Sequence, residues 1–169
     1  MEVKHVSDSH TVLIQLMNPE HANPLGNVHG GVLMKLIDEA GGLCAARHAR
    51  RPAVTVTVDS LMFLEPIRIS ELVTFDARLT YVGRTSMEVE VCVEAEEILT
   101  GKRRLTNRAY VVYVALGDDG RPTEVPPLLP TTQDERDRWE QGRQRQTERL
   151  VRKAREGHIR NLSLDEGGT

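Results

Sequence analysis

The sequence predicts an α+β fold in which one antiparallel sheet wraps around one apolar helix. Two patterns predict it. Five stretches are β-rich, most of them alternating apolar and polar residues with a period of two, and one segment among them repeats its apolar residues at three- and four-residue steps. A third observation fixes the kind of core: aromatic residues are only 4% of the 169 residues, so the interior has to be aliphatic.

The first strand is the short run Thr11–Met17, "TVLIQLM". In Ala53–Phe63, Val54, Val56 and Val58 alternate with Thr55, Thr57 and Asp59. Leu72–Val82 sets Val73, Phe75, Ala77, Leu79 and Tyr81 against Thr74, Asp76, Arg78 and Thr80. Ser86–Glu96 sets Met87, Val89, Val91 and Val93 against Glu88, Glu90 and Glu94, and Arg104–Leu116 ends the series. Period two means half-buried antiparallel strands with one face in water. "GRTS" after Val82 and "LTGK" before Arg103 suit hairpin turns. The helix places Leu33, Leu36, Ile37, Ala40, Leu43 and Cys44 on one face. Arg47, His48, Arg50 and Arg51 crowd its C-terminal end, where the dipole favours cations, and Pro52 stops it. Its apolar surface is too large for the outside, so the sheet has to enclose it.

Residues 1–130 read as one domain. Gly117–Pro130 is turn- and Pro-rich and reads as a linker. Residues 131–169 read as an Arg-rich C-terminal extension, helical or partly disordered, with a frayed end. Gln133–Arg160 carries nine Arg/Lys against six Asp/Glu and few apolar residues, too thin a stripe for a core of its own. A net charge of -3 argues against a nucleic-acid partner. Cys44 and Cys92 sit far apart in apolar patterning and read as buried thiols in a reducing compartment. The N-terminus lacks a signal-peptide apolar region, and no apolar run approaches the ~18 residues of a membrane span. A cytoplasmic protein is expected.

The chemistry-bearing residues gather in and before the helix. Gly30 and Gly31 offer backbone N–H groups at the positive end of the helix dipole, suited to a phosphate or to the oxygen of a carbonyl under attack; a tight turn is the plainer reading. Asp38 lies seven residues past Gly31, two turns on and ~10 Å away along the axis. One small reacting group cannot touch both, so either one is irrelevant or the carboxylate serves a neighbouring subunit across a two-fold dimer. Met34, Gly41 and Gly42 surround Asp38. The two glycines each cost ~1 kcal/mol inside a helix and point either to close packing on the sheet or to room for a substrate. Glu39 faces solvent or a salt bridge. Asn23 can hold a water or a carbonyl, and Asn27 can do the same or cap the helix. His29 can act as a base or support the loop, and support is the preferred role.

The stretches "ANPLGNVHGGVLMKLIDEAGGLCAARH", "VTVTVDSLMFLEPI", "YVGRTSMEVEV" and "LTNRAYVVYVAL", in this order over about residues 10 to 130, resemble the hotdog-fold acyl-coenzyme A thioesterases, the cytosolic broad-range and brain-type acyl-CoA hydrolases in particular. The resemblance implies a five-stranded antiparallel sheet around a central helix, a dimer joined sheet edge to sheet edge, and a hexamer as a trimer of dimers. It implies hydrolysis of acyl-CoA with Asn23, Asp38 and the Gly31 N–H as catalytic groups. His29, Gly30 and Phe63 would line the substrate site, with Arg84, Thr85 and Ser86 near the coenzyme A phosphates. No metal or separate cofactor is implied, since coenzyme A belongs to the substrate. Ser70-Glu71 stands where related chains often carry Gly-acid, and the Arg-rich extension resembles that of the brain-type enzymes. The rival readings are a non-catalytic acyl-CoA-binding module and a hotdog dehydratase using His29 with Asp38.

Overall fold

The computed structural model describes residues 1–165. In chain order the elements are β1 (Lys4–His5), β2 (Thr11–Leu16), α1 (Gly30–Ala49), β3 (Ala53–Phe63), β4 (Leu72–Val82), β5 (Ser86–Glu97), β6 (Lys102–Ala115), β7 (Leu128–Leu129) and α2 (Gln133–Asp165). The five long strands and the first helix stand where the periodicity placed them, with ends shifted by one or two residues. The strands form one antiparallel sheet in the order β2-β4-β5-β6-β3. The short β1 and β7 pair in parallel and tie the N-terminus to the segment after β6. The expected frayed end, 166–169, lies outside the described residues.

The sheet curves over α1. Its inner face presents Val73, Phe75 and Ala77 of β4 and Met87, Val89 and Val91 of β5, all 0% exposed. Leu33, Leu36, Ile37, Ala40, Cys44 and Ala45 of α1 pack into this face. Each fully buried Val, Leu or Ile adds roughly 1.5–3 kcal/mol, so a core with few aromatics is sufficient. One helix assignment changes. Leu43 is half-exposed, and the buried stripe runs through Gly41, Ala45 and His48 instead. The helix ends with Arg50 in the left-handed conformation at φ 53°, two residues before Pro52.

The outer face of the sheet also differs from expectation. Alternation predicts Glu88 and Glu90 in water, yet they are 1% and 0% exposed, because α2 lies across them. Arg145 reaches Glu88 at 2.7 Å, and Arg149 bridges Glu88 at 2.6 Å and Asp59 at 3.0 Å. Arg138 pairs with Glu90, and Thr80 Oγ1 donates to Glu88 at 2.6 Å. Trp139 packs on Tyr81 with ring centroids 5.5 Å apart, and the Arg145 guanidinium sits 3.9 Å above the Tyr110 ring. The extension docks through guanidinium–carboxylate pairs and two aromatic contacts rather than an apolar stripe. Gly142 permits the approach: a Cβ there would lie 2.7 Å from Tyr81 Cβ and 3.0 Å from Glu88 Oε1.

Candidate active site

The loop ahead of α1 is held by its own side chains. Asn23 Oδ1 accepts from the N–H groups of Leu25 at 2.9 Å and Asn27 at 3.2 Å, closing an Asx-type turn. Asn27 therefore braces the loop, and the helix cap is His29. The His29 ring Nδ1 accepts the Gly31 N–H at 2.9 Å, and the His29 N–H donates to the carbonyl of His21 at 2.8 Å. This is the supporting role expected of His29, and it engages the Gly31 N–H. The Gly30 N–H donates to no group among the described residues. The Phe63 ring lies against the same helix start, 3.5 Å from where a Gly30 Cβ would sit. His29, Gly30, Gly31 and Phe63 thus meet at one place, with Asn23 in the loop leading to it.

Asp38 is not in the apolar stripe of α1. It stands on the exposed side of the helix, toward the edge strand β3. Its Oδ1 accepts from Thr55 Oγ1 at 2.6 Å and lies 3.3 Å from the Tyr113 hydroxyl, which is also 3.1 Å from the Asp38 carbonyl. Thr55 and Tyr113 are cross-strand partners on β3 and β6. The register slips directly after Thr55, so Val56 is an extra residue, a bulge that re-aims the strand beside the carboxylate. Burial first, then the neighbouring Asp38 charge, raises the Tyr113 phenol far above its ordinary value, so it stays a protonated donor. A cavity of about 290 Å³ opens beside Asp38, lined by Met34, Ile37, Thr55, Val58, Leu61 and Val111. It is apolar apart from Asp38, Thr55 and Lys35 at its rim.

The glycines beside Asp38 have a packing reason. A Cβ on Gly41 would collide with the Tyr113 hydroxyl and lie 3.0 Å from its Cζ, whereas one on Gly42 would make ordinary contact at 3.6 Å. Gly41 makes room for a tyrosine. The loop groups and the carboxylate do not converge within the protomer: neither Asn23 nor the helix-start residues line the cavity beside Asp38. The Arg84–Ser86 turn stands apart from both. Arg84 pairs with Glu124 at 3.6 Å, and Ser86 lines a groove of about 350 Å³ on the outer face with Arg149 and Arg152 of α2. Among the described residues no cluster of three or more His, Cys, Asp or Glu could hold a metal ion, and no helix is long and apolar enough to cross a membrane.

Residues 25–102 match the thioesterase superfamily. An uncharacterized acyl-CoA thioester hydrolase of Bacillus subtilis is 37% identical over 134 residues, covering 79% of this chain and 78% of that protein. The chain belongs to the hotdog thioesterase superfamily. The rat cytosolic acyl coenzyme A thioester hydrolase is 40% identical over 93% of this chain, which spans 41% of the length of that relative. Among solved structures, an acyl-CoA hydrolase of Staphylococcus aureus, in complex with butyryl coenzyme A and coenzyme A, superposes with a TM-score of 0.87 at 31% identity, covering 95% of this chain and 99% of that one. The same hydrolase is known as alanine variants of an aspartate, an asparagine and a threonine. A hexameric acyl-CoA thioesterase gives a TM-score of 0.87 at 34% identity, covering 91% of this chain and 99% of that one.

Sequence reasoning passed over Thr55 and Tyr113, which read as ordinary members of alternating strands.

Proposed function

We propose that this chain hydrolyses the thioester of acyl-coenzyme A to a free fatty acid and coenzyme A. The observation that carries the proposal is the Asp38 carboxylate, tethered by two hydroxyls at the rim of an apolar cavity. Such a cavity takes an acyl chain, and the carboxylate serves at its polar end as general base toward water or as nucleophile. In the first route water attacks the carbonyl carbon while Asp38 takes its proton. The oxyanion forms against the helix-start N–H groups, and its collapse expels the coenzyme A thiolate, which leaves without a strong acid. Gly30 N–H is open for this task, and Gly31 N–H becomes so when the His29 ring turns aside. Asn23 keeps its Nδ2 donors for water or substrate. The aspartate, asparagine and threonine varied in the S. aureus hydrolase have the sequence separations of Asn23, Asp38 and Thr55 here, which supports these roles.

The separation of loop and carboxylate supports a shared site. In a two-fold dimer the loop of one chain meets Asp38 of the other. Strand β3 is the edge for such a joint: it is 11 residues long and leaves Val54, Val56, Val58 and Phe63 42–54% exposed. A long apolar edge strand calls for a partner. We extend the reading to a hexamer as a trimer of dimers, acting in the cytoplasm without metal or separate cofactor. Residues 1–130 form the hydrolase domain, and helix α2 of the C-terminal extension braces the outer face of its sheet through Arg138, Arg145 and Arg149. Arg84, Thr85 and Ser86 approach the coenzyme A phosphates from a neighbouring chain.

Release of free thiol from a panel running from acetyl-CoA to palmitoyl-CoA tests the activity and finds the preferred chain. Asp38→Asn is expected to abolish release while coenzyme A still binds; an undiminished rate rejects the assignment. An obligate monomer that remains active rejects the shared site.

A further inference from the structure

We infer that Tyr113 and Gly41 form a positioning pair for the reacting carboxylate, an inference that rests on the hydrolase reading above. Two hydroxyls converge on one oxygen of Asp38, Thr55 at 2.6 Å and Tyr113 at 3.3 Å, while Oδ2 accepts no hydrogen bond among the described residues. The two donors occupy one rung of the sheet, as cross-strand partners on β3 and β6. Side chains so paired stand ~5 Å apart on a rigid surface, the span needed to straddle a carboxylate facing them from the helix. Oδ1 is thereby fixed and Oδ2 becomes the oxygen that meets water or the thioester carbon. Without the tether the carboxylate rotates about its terminal torsion, which is broad for an aspartate.

Tyr113 is built into this position. It is 1% exposed, with its ring in the core and its hydroxyl the only polar atom of its side chain. A buried phenol needs a hydrogen-bond partner, and Asp38 supplies both acceptors within reach, Oδ1 and the main-chain carbonyl. The phenol stays protonated, because burial and the Asp38 charge both oppose its ionisation. Gly41, one turn along the helix, is the residue whose missing Cβ leaves room for that hydroxyl. The helix accepts a residue of poor propensity there, and the clash a Cβ would make with the Tyr113 hydroxyl accounts for it. Gly42 has no such contact and marks the contrast.

The test uses Tyr113→Phe, which keeps the ring and removes the hydroxyl. With the acyl-CoA that the unaltered protein turns over fastest, kcat is expected to fall on the order of 10-fold, with KM held within about twofold. A packing role would lower stability and leave kcat unchanged. Gly41→Ala, which displaces the hydroxyl, is expected to lower kcat similarly, and the double variant to be little worse than either single one. If Gly41→Ala does not accumulate as folded protein, Tyr113→Phe decides alone. A Tyr113→Phe protein with the parental kcat overturns the inference. That result leaves the hydrolase reading standing, whereas an unaltered protein that releases no thiol overturns both.

Discussion

Replacing Gly142 by alanine sets two effects of opposite sign against each other. In an exposed helix interior the change stabilises by ~1 kcal/mol, since alanine is the better helix former. In this structure the new Cβ would lie 2.7 Å from Tyr81 Cβ and 3.0 Å from Glu88 Oε1. Ordinary carbon contacts begin near ~3.5 Å, so α2 has to lift by roughly 1 Å. The contacts that lift with it are short: Arg145 to Glu88 at 2.7 Å and Arg149 to Glu88 at 2.6 Å. An added 1 Å carries both beyond hydrogen-bonding range, and charge-assisted bonds are each worth ~1.5–3 kcal/mol. Glu88 is 1% exposed and cannot exchange these partners for bulk water at no cost. Allowing for the propensity gain, the net expectation is a loss of about 2 kcal/mol, or a fall in melting temperature of roughly 4–8 °C for a domain of this size. Thermal unfolding followed by circular dichroism reads it, and limited proteolysis within α2 should accelerate in parallel. A melting temperature raised by a few degrees, with α2 as resistant as before, would refute the close-docking account.

Further outcomes follow from single residues. Ser70 holds φ at 73°, a left-handed conformation that favours glycine; Ser70→Gly is expected to stabilise by about 1 kcal/mol and to raise the melting temperature by roughly 2–4 °C in the same scan. His48 is 0% exposed, its Nε2 lies 2.8 Å from the Pro126 carbonyl, and burial lowers its pKa below 6.5. The folded state therefore binds fewer protons than the unfolded chain between that lowered value and ~6.5, so the His48 contribution is complete above the window and drains away as pH falls through it. Melting temperatures at pH 8 and pH 5.5 should show the loss, and His48→Gln should flatten it. Burial pushes the Cys44 thiol up to about 12, so in the native protein at pH 8 it should not react with a disulfide reagent, as a thiol titration before and after denaturation will show.

Most of the core was legible because its physics is local. Alternation in Ser86–Glu96 assigns Met87, Val89, Val91 and Val93 to one face, and the structure buries that face on α1 as expected. The outer face was not legible, because alternation reports which side chains share a face and not what lies over it. Glu88 and Glu90 are charged and sit opposite a core face, so they read as solvated. What covers them is a helix whose docking groups, Arg138, Arg145 and Arg149, are also those of a solvated helix. Their spacing of four and seven residues places all three on one side, but arginine on one side of a helix is ordinary. Only their meeting with the buried acids of β5 gives the pattern its meaning.

The site was legible by half for a similar reason. Asp38 and the helix-start glycines stand out because each is costly where it is, and a costly residue asks for a cause. Thr55 and Tyr113 cost nothing in a strand, so their contact with Asp38 exists only once β3, β6 and α1 are assembled. Gly41 joins the two cases. Its cost was visible in the sequence, and its cause, a phenol on a strand more than 70 residues away, was not. The open question of room for a substrate or packing on the sheet resolves as packing, but packing of the one tyrosine whose hydroxyl reaches the carboxylate. A Cβ at Gly41 would meet the Tyr113 hydroxyl before any other group, so the glycine bears on the carboxylate through the tyrosine and not by lining the cavity.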